Sequence, residues 1–164
     1  MARCLIIGCG CRGRLLARQL AAAGHAVRGT TRSAAGREAI AAAGAEPVVG
    51  DPDRVATLAG AFEHVSVTCV LLGSAVAAPD RLAALHGTRL EMLLARMLDT
   101  TVRGIVYEAR GSVGATALGA GAGVVRAACE RSLIPYAILA ADPNDPDAWL
   151  RAAVEAVEVV LSAR

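Results

Sequence analysis

The sequence predicts an α/β protein, one doubly wound parallel sheet of six strands in the order 3-2-1-4-5-6 with helices on both faces. Three observations predict it. Short runs rich in Val, Ile and Leu alternate with alanine-rich stretches of helical length along all 164 residues. The runs Leu5-Ile6-Ile7 and Val67-Thr68-Cys69-Val70-Leu71-Leu72 are almost unbroken apolar segments, the pattern of strands buried on both faces. The connections between elements span only about two to six residues, as βα units require.

Taken in order, the first strand is expected over 3–7, followed by a helix over about 11–23 that stops at Gly24. The second strand covers 25–30, and a helix over about 34–43 stops at Gly44. Both glycines can take the left-handed conformation that closes a helix. The third strand covers 46–49, with a short helix after Pro52, and the fourth covers 64–72. A long helix is expected from near Asp80 to about Asp99, where Leu82, Leu85, Leu90, Leu93, Leu94 and Met97 form an apolar stripe at helical spacing. That stripe packs on the sheet or pairs two copies of the chain through the helices that follow strands 4 and 5. The fifth strand covers 103–108, and a glycine-rich loop over 111–123 leads into a helix ending near Ser132. The sixth strand covers 135–140, and a last helix starts near Asp145. No linker or repeat divides the chain, so residues 1–164 are expected to form a single domain.

Composition narrows the function. Apolar residues make up 55% of the chain but aromatics only 2%, so the core must be aliphatic. All 17 basic residues are arginine, which excludes any mechanism that needs a lysine amine. The formal charge is +2 and the arginines are scattered, which gives little support to a nucleic-acid partner. No apolar run approaches the roughly 20 residues of a membrane span, and the start lacks the charged-then-apolar pattern of a signal peptide. A reduced, cytoplasmic setting is expected. Of the five cysteines, Cys9 and Cys11 form C-x-C without a partner pair or a nearby histidine, so no zinc site is expected. Cys4 and Cys69 fall within predicted strands as small core residues.

The stretch Gly8-Cys9-Gly10-Cys11-Arg12-Gly13 follows the first strand and opens the first helix. This G-x-G-x-x-G context is the fingerprint of a dinucleotide site in a Rossmann fold. Gly8 permits the tight turn and Gly10 lets backbone approach the pyrophosphate. Gly13 lets helix pack on strand, and free amides at the helix start bind the anion. At the end of the second strand an NAD site usually carries an acid on the ribose hydroxyls; here the residues are Thr31-Arg32-Ser33, with no acid before Glu38. A guanidinium flanked by hydroxyls suits a 2′-phosphate, so NADP(H) is favoured over NAD(H), with Arg12 in the glycine loop expected to add a second charge. Asp51 lies where adenine would sit, either accepting from its amino group or capping the turn behind Pro52. Leu72, Gly73 and Ser74, at the end of the fourth strand, are expected beside the diphosphate and second ribose, Gly73 allowing close approach.

The stretch from Leu5 to Arg32 resembles the N-terminus of extended and atypical short-chain dehydrogenase/reductases, especially epimerase/dehydratase-like and NmrA-like proteins. Residues 104–114 and 129–139 resemble that family's fifth strand with its serine loop, and its helix leading into strand 6. The resemblance implies a catalytic Ser or Thr and a Tyr-x-x-x-Lys motif, in which lysine lowers the tyrosine pKa and tyrosine transfers a proton. This chain has only Tyr107 and Tyr136, both in predicted strands, and no lysine. Where the family has its paired serines it reads Ala109-Arg110, with Ser112 shifted, and the family's C-terminal substrate-binding extension has no counterpart after the last helix. The cofactor cradle is kept and the usual catalyst is missing.

Other groups facing the nicotinamide position are Ser74, His86, Glu108, Arg110 and Ser112. Glu108 and Ser112 are the catalytic candidates. An acid at the carboxyl edge of the sheet sits where ligands bind, and partial burial would raise its pKa; alternatively Glu108 pairs with Arg110. His86 reads as solvated or structural. Three functions compete: an NADP(H)-binding protein with weak, lost or non-standard oxidoreductase activity; a non-catalytic dinucleotide sensor; and a thiol redox protein using Cys9 and Cys11 at a helix N-terminus.

Overall fold

Six strands, all parallel to their neighbours, form one sheet in the order 3-2-1-4-5-6 in a computed structural model that describes residues 1–163. β1 (Arg3–Ile7), α1 (Cys11–Ala22), β2 (Ala26–Thr31), α2 (Arg37–Ala42) and β3 (Glu46–Val49) make one half. β4 (Val67–Val70), α3 (Pro79–Leu85), α4 (Thr88–Leu98), β5 (Gly104–Glu108), α5 (Ala115–Ser132), β6 (Tyr136–Leu139) and α6 (Pro146–Ser162) make the other. A 3₁₀ segment, Val55–Phe62, joins β3 to β4.

The unbroken apolar runs have the physical cause the sequence implies. Along β1, Cys4 and Ile6 pack on one face with Leu16, Leu20, Trp149 and Val157, from α1 and α6. Leu5 and Ile7 pack on the other with Leu58, Phe62, Leu90 and Leu94. Each such side chain fully buried contributes about 1.5–3 kcal/mol. Three of the chain's few aromatics, Trp149, Tyr107 and Phe62, are its largest fully buried side chains. The leucine stripe of α4 turns inward, with Leu90, Leu93, Leu94 and Met97 all buried.

Several boundaries differ from expectation, each for a local reason. The helix expected over 80–99 is two helices broken at His86-Gly87, because the buried imidazole of His86 turns back to hydrogen-bond Leu72 O and Tyr107 Oη. The glycine-rich segment is helical from Ala115, not a loop to 123. Glycine lowers helix stability by about 1 kcal/mol relative to alanine, but at Gly121 a methyl group would collide with the Tyr107 hydroxyl. The fourth strand is confined to 67–70, and His64, where it was expected to start, has φ 59°, outside the extended region. The second helix shrinks to Arg37–Ala42 behind a 3₁₀ turn, Ala34–Gly36, packed against Thr31. Gly24 (φ +90°) and Gly44 (φ +80°) close their helices as expected.

Candidate functional site

The turn between β1 and α1 is held by β2. The Gly8 N–H donates to Thr30 Oγ1 (3.2 Å) and the Cys9 N–H to Thr30 O (3.2 Å). Gly8 has φ +82°, and a Cβ there would lie 2.5 Å from Leu71 O, so only glycine fits. At Gly13 a Cβ would lie 3.1 Å from Gly8 O and 3.2 Å from Ile6, which ties the glycine to close packing of α1 on β1. A Cβ at Gly10 would meet nothing within 4 Å. Gly10 caps α1 without a side-chain hydrogen bond, the first turn carries no acid, and the amides of Cys11, Arg12 and Gly13 have no acceptor among the described residues. Unpartnered helix-start amides carry partial positive charge and attract anions.

These amides floor a cleft of about 480 Å³ at the carboxyl edge of the sheet. Of the residues expected there, Gly8, Cys9, Gly10, Cys11, Arg12, Gly13, Thr31, Arg32, Asp51, Leu72 and Ser74 line it; Ser33 and Gly73 do not. Arg32 is exposed and makes no ion pair among the described residues. Asp51 caps its own turn, its Oδ1 accepting from the Asp53 N–H at 3.0 Å. Gly73 serves a different neighbour from the one expected. A Cβ there would lie 2.8 Å from Arg110 O and 2.9 Å from Glu108 Oε2, so it accommodates the protein's own chain. The sequence reading missed Arg81 and Asp53 on the wall, paired at 2.6 Å with Arg89 at 3.4 Å. Hydrogen bonding from Arg81 holds the Asp53 carboxyl below its usual range. No spacing signals that cluster, because its members are 28 and 36 residues apart.

Glu108 ends β5 in a closed knot. It is 1% exposed and accepts three hydrogen bonds: from the Gly73 N–H (2.8 Å), Arg12 Nη2 (3.1 Å) and Trp149 Nε1 (3.1 Å). Arg12 also donates to Ser74 Oγ (2.9 Å) and lies over the Trp149 ring, 5.5 Å from its centroid. Two expectations are corrected. The partner of Glu108 is Arg12, while Arg110 pairs with Asp142 at 2.9 Å. Arg12 Nη2 is engaged by the buried carboxylate and by Ser74, so the charge expected beside the cofactor phosphate is balanced by Glu108 rather than free. Glu108 borders the larger cleft, but its carboxylate is 1% exposed, paired with Arg12 and engaged by three donors, which argues against it as a general base.

The other candidate groups are equally committed. Tyr107 and His86 are both buried, with Tyr107 Oη 2.7 Å from His86 Nδ1 and His86 Nε2 3.2 Å from Leu72 O. Since a carbonyl only accepts, Nε2 carries the proton and Nδ1 accepts from the tyrosine. Burial holds the imidazole below its usual pKa and pushes the Tyr107 phenol up. His86 is thus structural, not solvated. Burial raises the Cys9 thiol to about 11, opposite to the lowering that the thiol redox alternative needs; Cys11 is exposed. No cluster of metal-ligating side chains occurs among the described residues, and no helix among them is long and apolar enough to cross a membrane. Ser112 lies outside the main cleft, in a smaller one of about 260 Å³ that also contains Arg12, Ser74, Arg110, Asp142 and Asn144.

Parallel strand order, the glycine turn and the cleft above it define a Rossmann-fold α/β protein. No family model and no curated protein sequence matches the chain. Solved structures do. A short-chain dehydrogenase/reductase superfamily protein from Agrobacterium tumefaciens, solved with bound NAD, gives a TM-score of 0.68 at 21% identity, over 83% of this chain and 48% of that one. Triphenylmethane reductase from Citrobacter sp., complexed with NADP(H), gives 0.64 at 21% identity, over 84% and 48%. UDP-glucose 4-epimerase from Thermotoga maritima, with UDP-glucose, gives 0.68 at 14% identity, over 83% and 54%. The chain spans about half the length of these structures, and at these identities the likeness is one of fold.

Proposed function

We propose that this chain binds a nicotinamide dinucleotide across the carboxyl edge of its sheet, with NADP(H) preferred to NAD(H). The observation that carries the reading is the helix start at Gly10: three amides without acceptors beside a glycine whose Cβ position is open, on the floor of the larger cleft. In this reading the Cys11, Arg12 and Gly13 amides hold the pyrophosphate. Arg32, with Thr31 and Ser33 beside it, holds the 2′-phosphate; the adenine lies by Asp51 and the second ribose along Leu72 and Ser74. Neighbours of the same fold were solved with NAD and with NADP(H), which supports the cofactor class. A bound nicotinamide would supply hydride transfer. Five unbonded thiols suit a reduced, cytoplasmic setting.

A second reading, a binding module that reports cofactor state without chemistry, is favoured by the engagement of Glu108, Tyr107 and His86 within the protein. Calorimetric titration with NAD⁺, NADH, NADP⁺ and NADPH tests the first reading. Arg32→Ala should weaken NADPH by about 10–100-fold, the value of lost charge-assisted hydrogen bonds, and leave NADH nearly unchanged. Equal losses refute the 2′-phosphate assignment, and no binding at about millimolar strength refutes the dinucleotide itself. Hydrogen exchange that differs between the NADP⁺ and NADPH complexes, with no turnover, would select the sensor reading.

A further inference from the structure

We infer that the small cleft at the ends of β4, β5 and β6 is an oxyanion subsite, built to hold the carboxylate or phosphate of a small substrate. Its position beside the dinucleotide rests on the reading above; its preference for an anion does not. Two guanidinium groups, Arg12 and Arg110, and two hydroxyls, Ser74 and Ser112, line the cleft with the carboxylate of Asp142 and the amide of Asn144.

The acceptors are already used. Asp142 Oδ2 accepts from Arg110, and its Oδ1 accepts from both the backbone N–H and the side-chain amide of Asn144. Glu108, behind Arg12, accepts three hydrogen bonds and is sealed from the cleft. The donors are not. Arg12 uses only Nη2, on Ser74 and Glu108, and Arg110 uses only Nη2, on Asp142. The remaining guanidinium N–H groups of both arginines, and the Ser112 hydroxyl, have no acceptor among the described residues. Arg12 Nε also lacks a partner among the described residues but is buried and does not face the cleft.

Walls rich in unsatisfied donors, with carboxylates already bound, complement a ligand rich in acceptors and negative charge. A cation would meet one carboxylate, Asp142, already paired with Arg110, while two guanidinium groups face it. The cleft, about 260 Å³, is below the usual range for drug-sized ligands, so the ligand is small. Arg12 and Ser74 line both clefts and are hydrogen-bonded to each other at 2.9 Å, so an anion here lies directly across that bridge from the larger cleft.

Trp149 supplies the readout. It is the only tryptophan, buried, and lies under the Arg12 guanidinium, so its fluorescence responds to an anion drawn onto that group. The full chain, saturated with NADPH so that the α1 amides are filled, is titrated with malonate and separately with inorganic phosphate. A saturable change with either supports the subsite, and the tighter anion assigns it to carboxylate or phosphate. Arg110→Met is the decisive variant, because Arg110 is exposed and among the described residues pairs only with Asp142, itself partly solvated. It should weaken the anion about tenfold or more while NADPH affinity holds within about twofold. No saturable response to either anion overturns the inference, as does a response unchanged in Arg110→Met. If NADPH fails to bind, the same comparison without it still decides the subsite while the dinucleotide reading falls separately.

Discussion

Replacing Glu108 with glutamine keeps the shape of the side chain and removes its charge. The native carboxylate accepts from Gly73, Arg12 and Trp149. The glutamine oxygen can keep some of these donors, but its NH₂ must face at least one of them, and Arg12 loses its counter-charge. Losing one charge-assisted hydrogen bond costs about 1.5–3 kcal/mol. Breaking a buried ion pair costs about 3–5 kcal/mol, an upper limit here because the Arg12 side chain keeps 26% exposure. The expected loss is about 2–4 kcal/mol, or about 4–16 °C in Tm at this chain length. Urea unfolding followed by far-ultraviolet circular dichroism measures it. Adding Arg12→Met to Glu108→Leu should recover much of the loss, since removing both partners leaves no uncompensated charge. A Glu108→Gln protein within about 0.5 kcal/mol of the parent would refute the knot as a stabilising element.

Gly10→Ala should leave unfolding within about 0.5 kcal/mol of the parent, since its Cβ position is open, yet weaken NADPH in calorimetry; Gly8→Ala should lose stability first, through its positive φ and the contact with Leu71 O. Burial depresses the His86 pKa, so the unfolded chain binds more protons than the folded one just below the usual histidine value of about 6.5. Stability should therefore fall as pH drops from about 6.5 toward the lower native value, and His86→Gln should flatten that slope in denaturation midpoints taken across the window. Gly121→Ala, which drives a methyl group against the Tyr107 hydroxyl, should cost about 1–3 kcal/mol, and less in a Tyr107→Phe background. Thermal unfolding of the two single variants and the double variant tests the contact.

The alternation of strands and helices and the glycine turn were legible because both are local, and the strand order followed from the fold class they define. Unbroken apolar runs report burial on two faces, and Gly8, Gly10 and Gly13 report one turn. The Glu108 knot was not legible, because its partners stand 35, 96 and 41 residues away and meet only when the sheet assembles. Arg12 looked like a phosphate ligand because sequence displays its charge without its direction. The break at His86-Gly87 was hidden for the same reason: helical spacing runs through it, and only the buried tyrosine and the Leu72 carbonyl draw the histidine inward. The glycines of α5 looked like loop because propensity scores residues singly, whereas Gly121 answers to a hydroxyl on the neighbouring strand.

The knot also bears on the order in which the molecule is made. Its carboxylate emerges from the ribosome at residue 108, with Arg12 and Gly73 already synthesised, but the indole that completes it arrives only at residue 149. Until then a nascent chain that has already completed all six strands keeps that acid short of one donor at the edge of its sheet, and α6 has to dock before that corner can dry.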